Sequence, residues 1–331
     1  MEGTHVSTDV YNDRYGDDYV YRSTESYYID TVGCIPVALL GIVGNLVSLL
    51  VWNSQTTYSA TILLFKYLAV WDTAYLVSFI PVSFVYDDDP GGPLAISLDA
   101  FWYLTKLESV HTTLLIAFTR WLAVHRPVHV HTGSLLTRRH VVVSCLVVLV
   151  WCLAISAVFM TFNLILGTSN TWVLELIIIN IVGLAVPVLP LVVFNLLTIK
   201  KIRSSTSTTS SSEQRLPTSR TSNHSLTITI MSMSVLSVVA YTIGKTVMDV
   251  YWLRHWSESG SSFTTLQSLT ELLQVVNSSV NIIFYFSFSR KFRSSFKNCF
   301  VRRGHAGRAR REVLQSDDRN DFNSSCAMSR L

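Results

Sequence analysis

Residues 31–55 read TVGCIPVALLGIVGNLVSLLVWNSQ, an unbroken run without a charged side chain. A helix needs about 20 mostly apolar residues to cross a bilayer, so this run predicts a membrane span. The composition agrees, because hydrophobic residues make up 49% of the chain and charged residues 15%, against about 25% charged in soluble domains. Residues 1–28 contain no apolar signal sequence, so the first span is expected to direct the chain to the membrane.

Six further stretches of similar length are apolar enough to cross a bilayer, which predicts seven spans. Spans two, three, six and seven contain ionisable side chains, which are costly in lipid and should face the interior of a helix bundle. The predicted fold class is therefore an all-α membrane protein, a seven-transmembrane helix bundle over residues 29–289. Spans one to seven are expected at Tyr28–Trp52, Thr61–Val85, Leu98–Val124, His140–Leu166, Trp172–Ile199, Leu226–Leu253 and Phe263–Phe288.

Basic residues predict the orientation of the bundle, because Lys and Arg collect in loops on the cytoplasmic side. With the N-terminus outside, three of the 26 basic residues lie in outer segments, three lie within spans and the others lie inside. The arm 1–28 is acidic and rich in tyrosine, and we expect it to be disordered when free. The acidic outer face would favour a cationic ligand, or it is only a solvated surface. The basic tail 290–331 is expected in the cytoplasm.

Short motifs in six of the seven spans stand in register with one another. They are Gly44-Asn45, Leu68-Ala69-Val70-Trp71-Asp72, Thr119-Arg120-Trp121-Leu122-Ala123-Val124-His125-Arg126-Pro127, Trp151, Pro187 with Asn195, and Asn277-Ser278-Ser279-Val280-Asn281 with Tyr285. Together they resemble the rhodopsin-like (class A) G-protein-coupled receptors over about residues 30–300. Within that family, spans five and seven look most like those of invertebrate FMRFamide-type neuropeptide receptors. The segment Phe288–Phe296 looks like the family's short amphipathic helix after span seven.

The resemblance implies a receptor in the plasma membrane that binds an extracellular ligand, a small basic peptide, and activates a heterotrimeric G protein. Arrestin and receptor kinases are further partners that it implies, and the serine-rich run 204–212 would be a kinase target. Two alternatives stay open. One is a divergent chemosensory receptor for small molecules, and the other is a seven-helix receptor that does not signal.

The sequence departs from the family pattern at positions that matter for activation. Thr119 stands where the family has an acid before the arginine of span three, and Trp121 replaces the tyrosine after it. Span six contains no proline, and Ile282 replaces the proline of the span-seven motif. Neither the outer end of span three nor the loop 163–175 contains a cysteine, so the family's usual disulfide cannot form. These changes put ordinary activation in doubt, and the missing acid predicts raised basal activity.

Candidate site residues fall into four groups. The resemblance implies contact with the G protein at the inner end of the bundle, through Thr119, Arg120, Trp121 and Tyr285. It also implies an internal polar network, built around either a sodium ion or a protonated aspartate at Asp72, with Asn45, Asn277 and Asn281. Intramembrane charges are functional by default, which predicts a ligand pocket in the outer half of the bundle from Tyr103, Lys106, Tyr241, Lys245, Asp249, Glu271 and Gln274. These charges could instead only pair with one another. Cys299 is a candidate palmitoylation site.

Other functions of a seven-helix protein lack the residues that they require. A retinal protein needs a lysine deep in span seven, and the first lysine there, Lys291, lies beyond the span. A transporter would show an internal repeat or paired broken helices. The histidines lack metal-ligand spacing and no catalytic pair is recognisable, so we expect no enzyme. We also expect no cofactor and no nucleic-acid partner.

Overall fold

The computed structural model describes residues 23–55, 59–88, 92–131, 136–166, 182–183, 186–207, 228–243, 246–247, 250–251 and 261–299. Within these ranges the chain is helical and forms no strand. Three of the described helices are long and apolar enough to cross a membrane by length and composition alone: Thr24–Asn53, Ala60–Phe84 and Arg138–Phe162. The all-α architecture predicted from the apolar stretches is therefore present in the described residues.

Each predicted span corresponds to a described helix. In order, the spans are Thr24–Asn53, Ala60–Asp88, Pro93–His125, Arg138–Leu166, Val186–Ser207, 228–243, and Ser261–Ser279 continued by Asn281–Phe288. A short helix, Pro127–His131, follows span three, and the segment 290–299 forms a helix after span seven.

Two spans begin earlier than the hydropathy pattern predicts. Span one begins at Thr24 because the Ser23 hydroxyl caps the helix and accepts a hydrogen bond from the Ser26 backbone N–H at 3.1 Å. Residues 24–28, which we expected in a disordered arm, are thus helical. Span three begins at Pro93, since proline fits the first turn of a helix, where its missing N–H has no partner to lose.

Span three lies at the centre of the bundle. It contacts spans two, four and five, while span seven contacts spans one, two and six. Span two also packs against span one and touches span four. Polar side chains on the inner faces of spans two, three and seven are therefore brought towards one another.

Two apolar clusters lie above and below the middle of the bundle. The outer cluster includes the large buried side chains Tyr75, Trp102, Tyr103, Phe159 and Tyr241. The inner cluster includes Trp52, Phe65, Ile116, Tyr285 and Phe292. Asp72 is buried on span two, between Leu68 of the inner cluster and Tyr75 of the outer cluster. A polar layer therefore separates the two apolar layers.

Spans six and seven are both irregular although neither contains the family's proline. Span six becomes π-helical at Val238–Ile243, and π-helical segments often bend a helix at a functional site. Span seven is interrupted at Val280, where the backbone has φ −88° and ψ 0°. The helix is therefore interrupted here although Ile282 stands in place of the proline.

Spans one and seven approach each other closely at two glycines. A Cβ atom on Gly41 would lie against the Ser279 hydroxyl and within 2.7 Å of a Leu76 methyl carbon. A Cβ atom on Gly44 would lie 2.9 Å from Ile282. Because real Cβ atoms do not approach this closely, both positions require glycine for the observed contact between the spans.

Candidate functional site

Asp72 is the centre of a hydrogen-bonded group on three spans. Its Oδ1 accepts a hydrogen bond from the Ser109 hydroxyl of span three at 2.7 Å. Its Oδ2 accepts one from the Asn281 side-chain amide of span seven at 2.6 Å. The Asp72 side chain is completely buried. An ionised or neutral carboxyl at this depth requires such donors, since an unpaired polar group in the bundle would be costly.

Asn45 and Asn277 extend the polar layer without bonding directly to Asp72. The Asn45 side-chain amide donates to the Ser278 backbone carbonyl at 3.0 Å. The Asn277 amide oxygen accepts a hydrogen bond from the Ser237 hydroxyl of span six at 3.1 Å. The four residues predicted for the network thus lie in one layer, but only Asp72 and Asn281 are bonded to each other. Ser109 and Ser237 are members that sequence reasoning missed.

At the inner end of span three, Arg120 is not restrained by its neighbour in sequence. The Thr119 hydroxyl is buried and donates to the Ile116 backbone carbonyl at 2.9 Å, within its own helix. The Nε atom of Arg120 is buried and has no hydrogen-bond partner among the described residues. The local ion pair that an acid at position 119 would provide is therefore replaced by a bond to the backbone.

Two aromatic side chains near this end hold the spans together. The Trp121 ring lies 5.4 Å from Phe194 of span five and 5.8 Å from Phe118, measured between ring centroids. Tyr285 is fully buried, and its ring lies 5.0 Å from that of Phe65 and 5.4 Å from that of Trp52. Tyr285 and Trp121 therefore belong to separate aromatic clusters.

In the outer half of span three, Lys106 is buried against aromatic rings. Its Nζ lies 4.2 Å from the centroid of Trp102 and 5.4 Å from that of Tyr103. A cation over an aromatic face is stabilised by the ring quadrupole. Lys106 is three residues outward of Ser109, so it lies about 4.5 Å above the Asp72 layer along the helix axis.

The other predicted ligand residues differ in their hydrogen bonds. Gln274 is buried, and its amide oxygen has no hydrogen-bond partner among the described residues. Glu271 accepts a hydrogen bond from the Gln267 side chain at 3.1 Å. Tyr241 is buried in the outer apolar cluster, and its hydroxyl has no hydrogen-bond partner among the described residues. Lys245 and Asp249 lie outside the described residues.

Span three contains a second buried carboxyl, which belongs to none of the predicted groups of site residues. Glu108 is fully buried, and its Oε2 accepts a hydrogen bond from the Tyr67 hydroxyl of span two at 3.3 Å. One turn inward, His111 lies with its Nδ1 3.8 Å from the sulfur of Cys152 on span four. Sequence spacing relates Glu108 to His111 on span three, but it could not have joined them to Tyr67 and Cys152, which stand on spans two and four.

Comparison with known proteins adds a relative that spans most of the bundle. The chain is 25% identical over 283 residues to galanin receptor 2a of Danio rerio, a match that covers 80% of this chain and 76% of that protein. The similarity supports a rhodopsin-like G-protein-coupled receptor. No family model matches the chain. The expectation that this is a receptor and not an enzyme is confirmed, whereas the likeness to FMRFamide-type receptors stays a prediction.

Proposed function

We propose that the receptor lies in the plasma membrane with its N-terminus outside, binds a small extracellular peptide and activates a heterotrimeric G protein. The observation that carries this proposal is the similarity to a galanin receptor over 80% of the chain. Arg120, retained at the inner end of span three, is the side chain that the resemblance implies for contact with the G protein. Arrestin and receptor kinases are partners expected on the same resemblance.

The ligand would enter between spans three, six and seven from the outer side. Lys106, held over Trp102 and Tyr103, offers N–H donors to a carbonyl oxygen of the peptide backbone. Gln274 offers a buried amide oxygen that a donor group of the ligand can satisfy. Leaving such an oxygen without a partner costs about 1–3 kcal/mol. An apolar pocket with a few polar groups of this kind is typical of ligand sites.

We expect a second-messenger response when cells that express the receptor are exposed to galanin or to a panel of short basic amidated peptides of the FMRFamide type. Lys106→Gln should raise the peptide concentration for half-maximal response about tenfold, which corresponds to about 1.4 kcal/mol. Lys66→Gln is the matched control, because this lysine lies on span two, nearer the inner end. A response to small molecules alone would favour the chemosensory alternative, and silence towards every ligand at normal surface expression would favour a receptor that does not signal.

Thr119→Asp should lower basal second-messenger output several-fold in the absence of ligand. An aspartate beside Arg120 supplies an opposite charge that holds the guanidinium in place, which the Thr119 hydroxyl, bonded to Ile116, does not do. Basal output per receptor at the cell surface measures the effect. Thr119→Asn, which has the shape of aspartate without its charge, is the control and should leave basal output near that of the unmodified receptor. Equal output from the Asp and Asn variants would contradict the idea.

A sodium ion at Asp72 is part of the same proposal. Asp72 carboxyl and Ser109 hydroxyl oxygens meet there, and the Asn45 amide oxygen is buried without a hydrogen-bond partner among the described residues. These are oxygen ligands of the kind that hard cations prefer. An ion would hold the polar layer together.

Because an ion that holds the polar layer together opposes rearrangement of the spans on peptide binding, replacing choline chloride by sodium chloride at constant ionic strength should weaken peptide binding to the unmodified receptor several-fold. Asp72→Asn should remove the sodium effect while the Ser109 and Asn281 side chains keep a partner of nearly the same shape. Radioligand competition measures both. A sodium effect that persists in Asp72→Asn would place the ion elsewhere.

The helix 290–299 is suited to the inner surface of the membrane. Phe292 is buried against the bundle, whereas Arg290 and Lys291 are exposed. Exposed basic side chains of this kind bind to a leaflet that contains anionic lipids. Arg293 instead donates from its guanidinium to the Phe286 carbonyl at 2.6 Å and so caps the end of span seven. Cys299 is a free, half-buried cysteine at the end of this helix, and we expect it to be palmitoylated.

A further inference from the structure

The outer ends of spans one and seven are joined by a series of side-chain hydrogen bonds. The Ser23 backbone N–H donates to the Thr264 hydroxyl at 3.2 Å, and the Ser23 and Thr265 hydroxyls lie 3.0 Å apart. One turn further into the membrane, the Ser26 and Ser268 hydroxyls lie 2.6 Å apart. We call these contacts, together with the hydrogen bond from Ser268 to Asp30, the hydroxyl ladder.

Asp30 ends the hydroxyl ladder at its inner side. The Ser268 hydroxyl donates to Asp30 Oδ2 at 3.0 Å, and the Cys34 thiol lies 3.9 Å from Oδ1. A serine hydroxyl has one proton to donate. Because the Ser268 proton is directed to Asp30, the Ser26 hydroxyl must donate to Ser268. The direction of the series is therefore fixed by the carboxyl group, which accepts the hydrogen bond at its inner end.

The ladder lies on one face of span seven, and the candidate ligand side chain Gln274 lies on another. Successive residues of an α-helix are rotated by about 100°. Six residues separate Ser268 from Gln274, which places the two side chains about 120° apart around the axis. On the ladder side, Leu272 packs near Gly33 of span one, so the contact with span one continues below Ser268. Turning the helix by one residue would move Gln274 out of its present position.

We propose that the hydroxyl ladder fixes the rotation of the outer half of span seven and thereby positions Gln274 in the ligand site. This inference rests on the proposed function as a peptide receptor. Ser26, Asp30 and Ser268 are positioning residues, since the ladder turns them towards one another and away from the ligand. The chain lacks the cysteine pair that would fasten the outer loop to span three, so the order of the outer face depends on contacts such as these.

The geometry is tested by cross-linking the full-length receptor at the cell surface. Ser26→Cys combined with Ser268→Cys should form a disulfide without added oxidant, because the two hydroxyl oxygens are already 2.6 Å apart and the outer face is oxidising. A protease site inserted in the segment 208–227 separates spans one to five from spans six and seven. After cleavage, the two fragments should stay together on a non-reducing gel and separate on a reducing one.

Val32→Cys combined with Ser268→Cys is the matched control, since Val32 is 67% exposed on the same helix, and it should not cross-link. The two single-cysteine variants show whether a native cysteine takes part. A control that cross-links as well as the Ser26 pair, or a Ser26 pair that does not cross-link, would overturn the arrangement.

The positioning role is tested by the response to the peptide that activates the unmodified receptor. Ser268→Ala should raise the concentration for half-maximal response about five- to tenfold at equal surface expression. The Ser26→Cys/Ser268→Cys receptor should respond normally while oxidised and lose potency when reduced. Thr31→Ala removes a hydroxyl that bonds only within span one, to the Tyr27 carbonyl, and should have no effect. Normal potency in Ser268→Ala would show that the ladder is structural only.

A measurement without ligand separates this inference from the proposed function. Gln274→Cys is labelled with a water-soluble thiol reagent, with and without Ser268→Ala. The labelling rate should change at least threefold when the ladder is broken. If no peptide activates the receptor, the proposed function fails, and the labelling rate still decides whether the ladder sets the rotation of span seven. An unchanged rate would overturn the inference.

Discussion

Under the proposed function, Arg120→Ala should abolish the second-messenger output stimulated by peptide while leaving the protein at the cell surface. Arg120 is half-buried at the inner end of span three, where Thr119 bonds to the backbone and supplies no counter-charge. The Nε atom of its guanidinium is buried without a hydrogen-bond partner among the described residues. The resemblance implies that this side chain contacts the G protein, and alanine offers neither the charge nor the five N–H donors of arginine.

The measurement is stimulated output as a function of peptide concentration, normalised to the number of receptors at the surface. We expect a fall of at least tenfold in maximal output with peptide binding retained. Arg126→Ala is the control, because Arg126 is exposed, lies just beyond the end of the same helix and should change output little. Full output from Arg120→Ala would mean that coupling uses other residues.

Gly41→Val should lower the free energy of unfolding of the receptor more than any other single substitution proposed for it. A Cβ atom at this position would meet the Ser279 hydroxyl, the Ser279 Cβ at 2.6 Å and a Leu76 methyl carbon at 2.7 Å. Ser279 cannot turn away freely, since its hydroxyl donates to the Val275 carbonyl at 2.7 Å. Spans one, two and seven would have to separate, and overpacking of this kind costs about 1–3 kcal/mol.

A loss of this size lowers the amount of folded protein several-fold, which surface labelling of an N-terminal tag would measure. The purified variant should also lose its structure at a lower temperature. Gly33→Ala is the matched control on the same helix, because its Cβ would meet only Leu272, at the ordinary contact distance of 3.8 Å. Equal surface expression of both variants would show that the spans adapt to each other without cost.

The sequence allowed the bundle to be predicted more fully than the site. Long apolar runs are a strong signal of membrane spans, because the bilayer tolerates few alternative structures. The orientation derived from the basic residues stays a prediction. Asp72 and Asn281 could be paired in advance because motif positions carry over from the family. Ser109 and Ser237 could not, since serines are common in helices and nothing in the spacing marks these two as members of a polar layer.

The hydroxyl ladder was missed for a different physical reason. Hydropathy separates apolar from polar segments, so Ser23 and Ser26 were assigned to a disordered polar arm. Their order comes from partners on span seven, more than 240 residues away along the chain. Pairing of this kind depends on the three-dimensional path of the chain, and a local pattern does not contain it. The positions of Lys245 and Asp249 stay a prediction, because both lie outside the described residues.

The interruption at Val280 has a consequence for how the inner end of span seven can move. We call this interruption the elbow of span seven. A proline would make it permanent, because proline removes an N–H group and clashes with the preceding turn. Ile282 keeps its N–H, and the elbow is closed on either side by ordinary backbone bonds, from Val280 to the Val276 carbonyl at 3.0 Å and from Ile283 to the Val280 carbonyl at 2.9 Å. Such an elbow can straighten and re-form by exchanging a few backbone hydrogen bonds. Straightening would move the last two turns of the helix, which end at Phe288, as one piece. The Tyr285 ring, packed against Trp52 and Phe65, would have to leave its cluster in that movement.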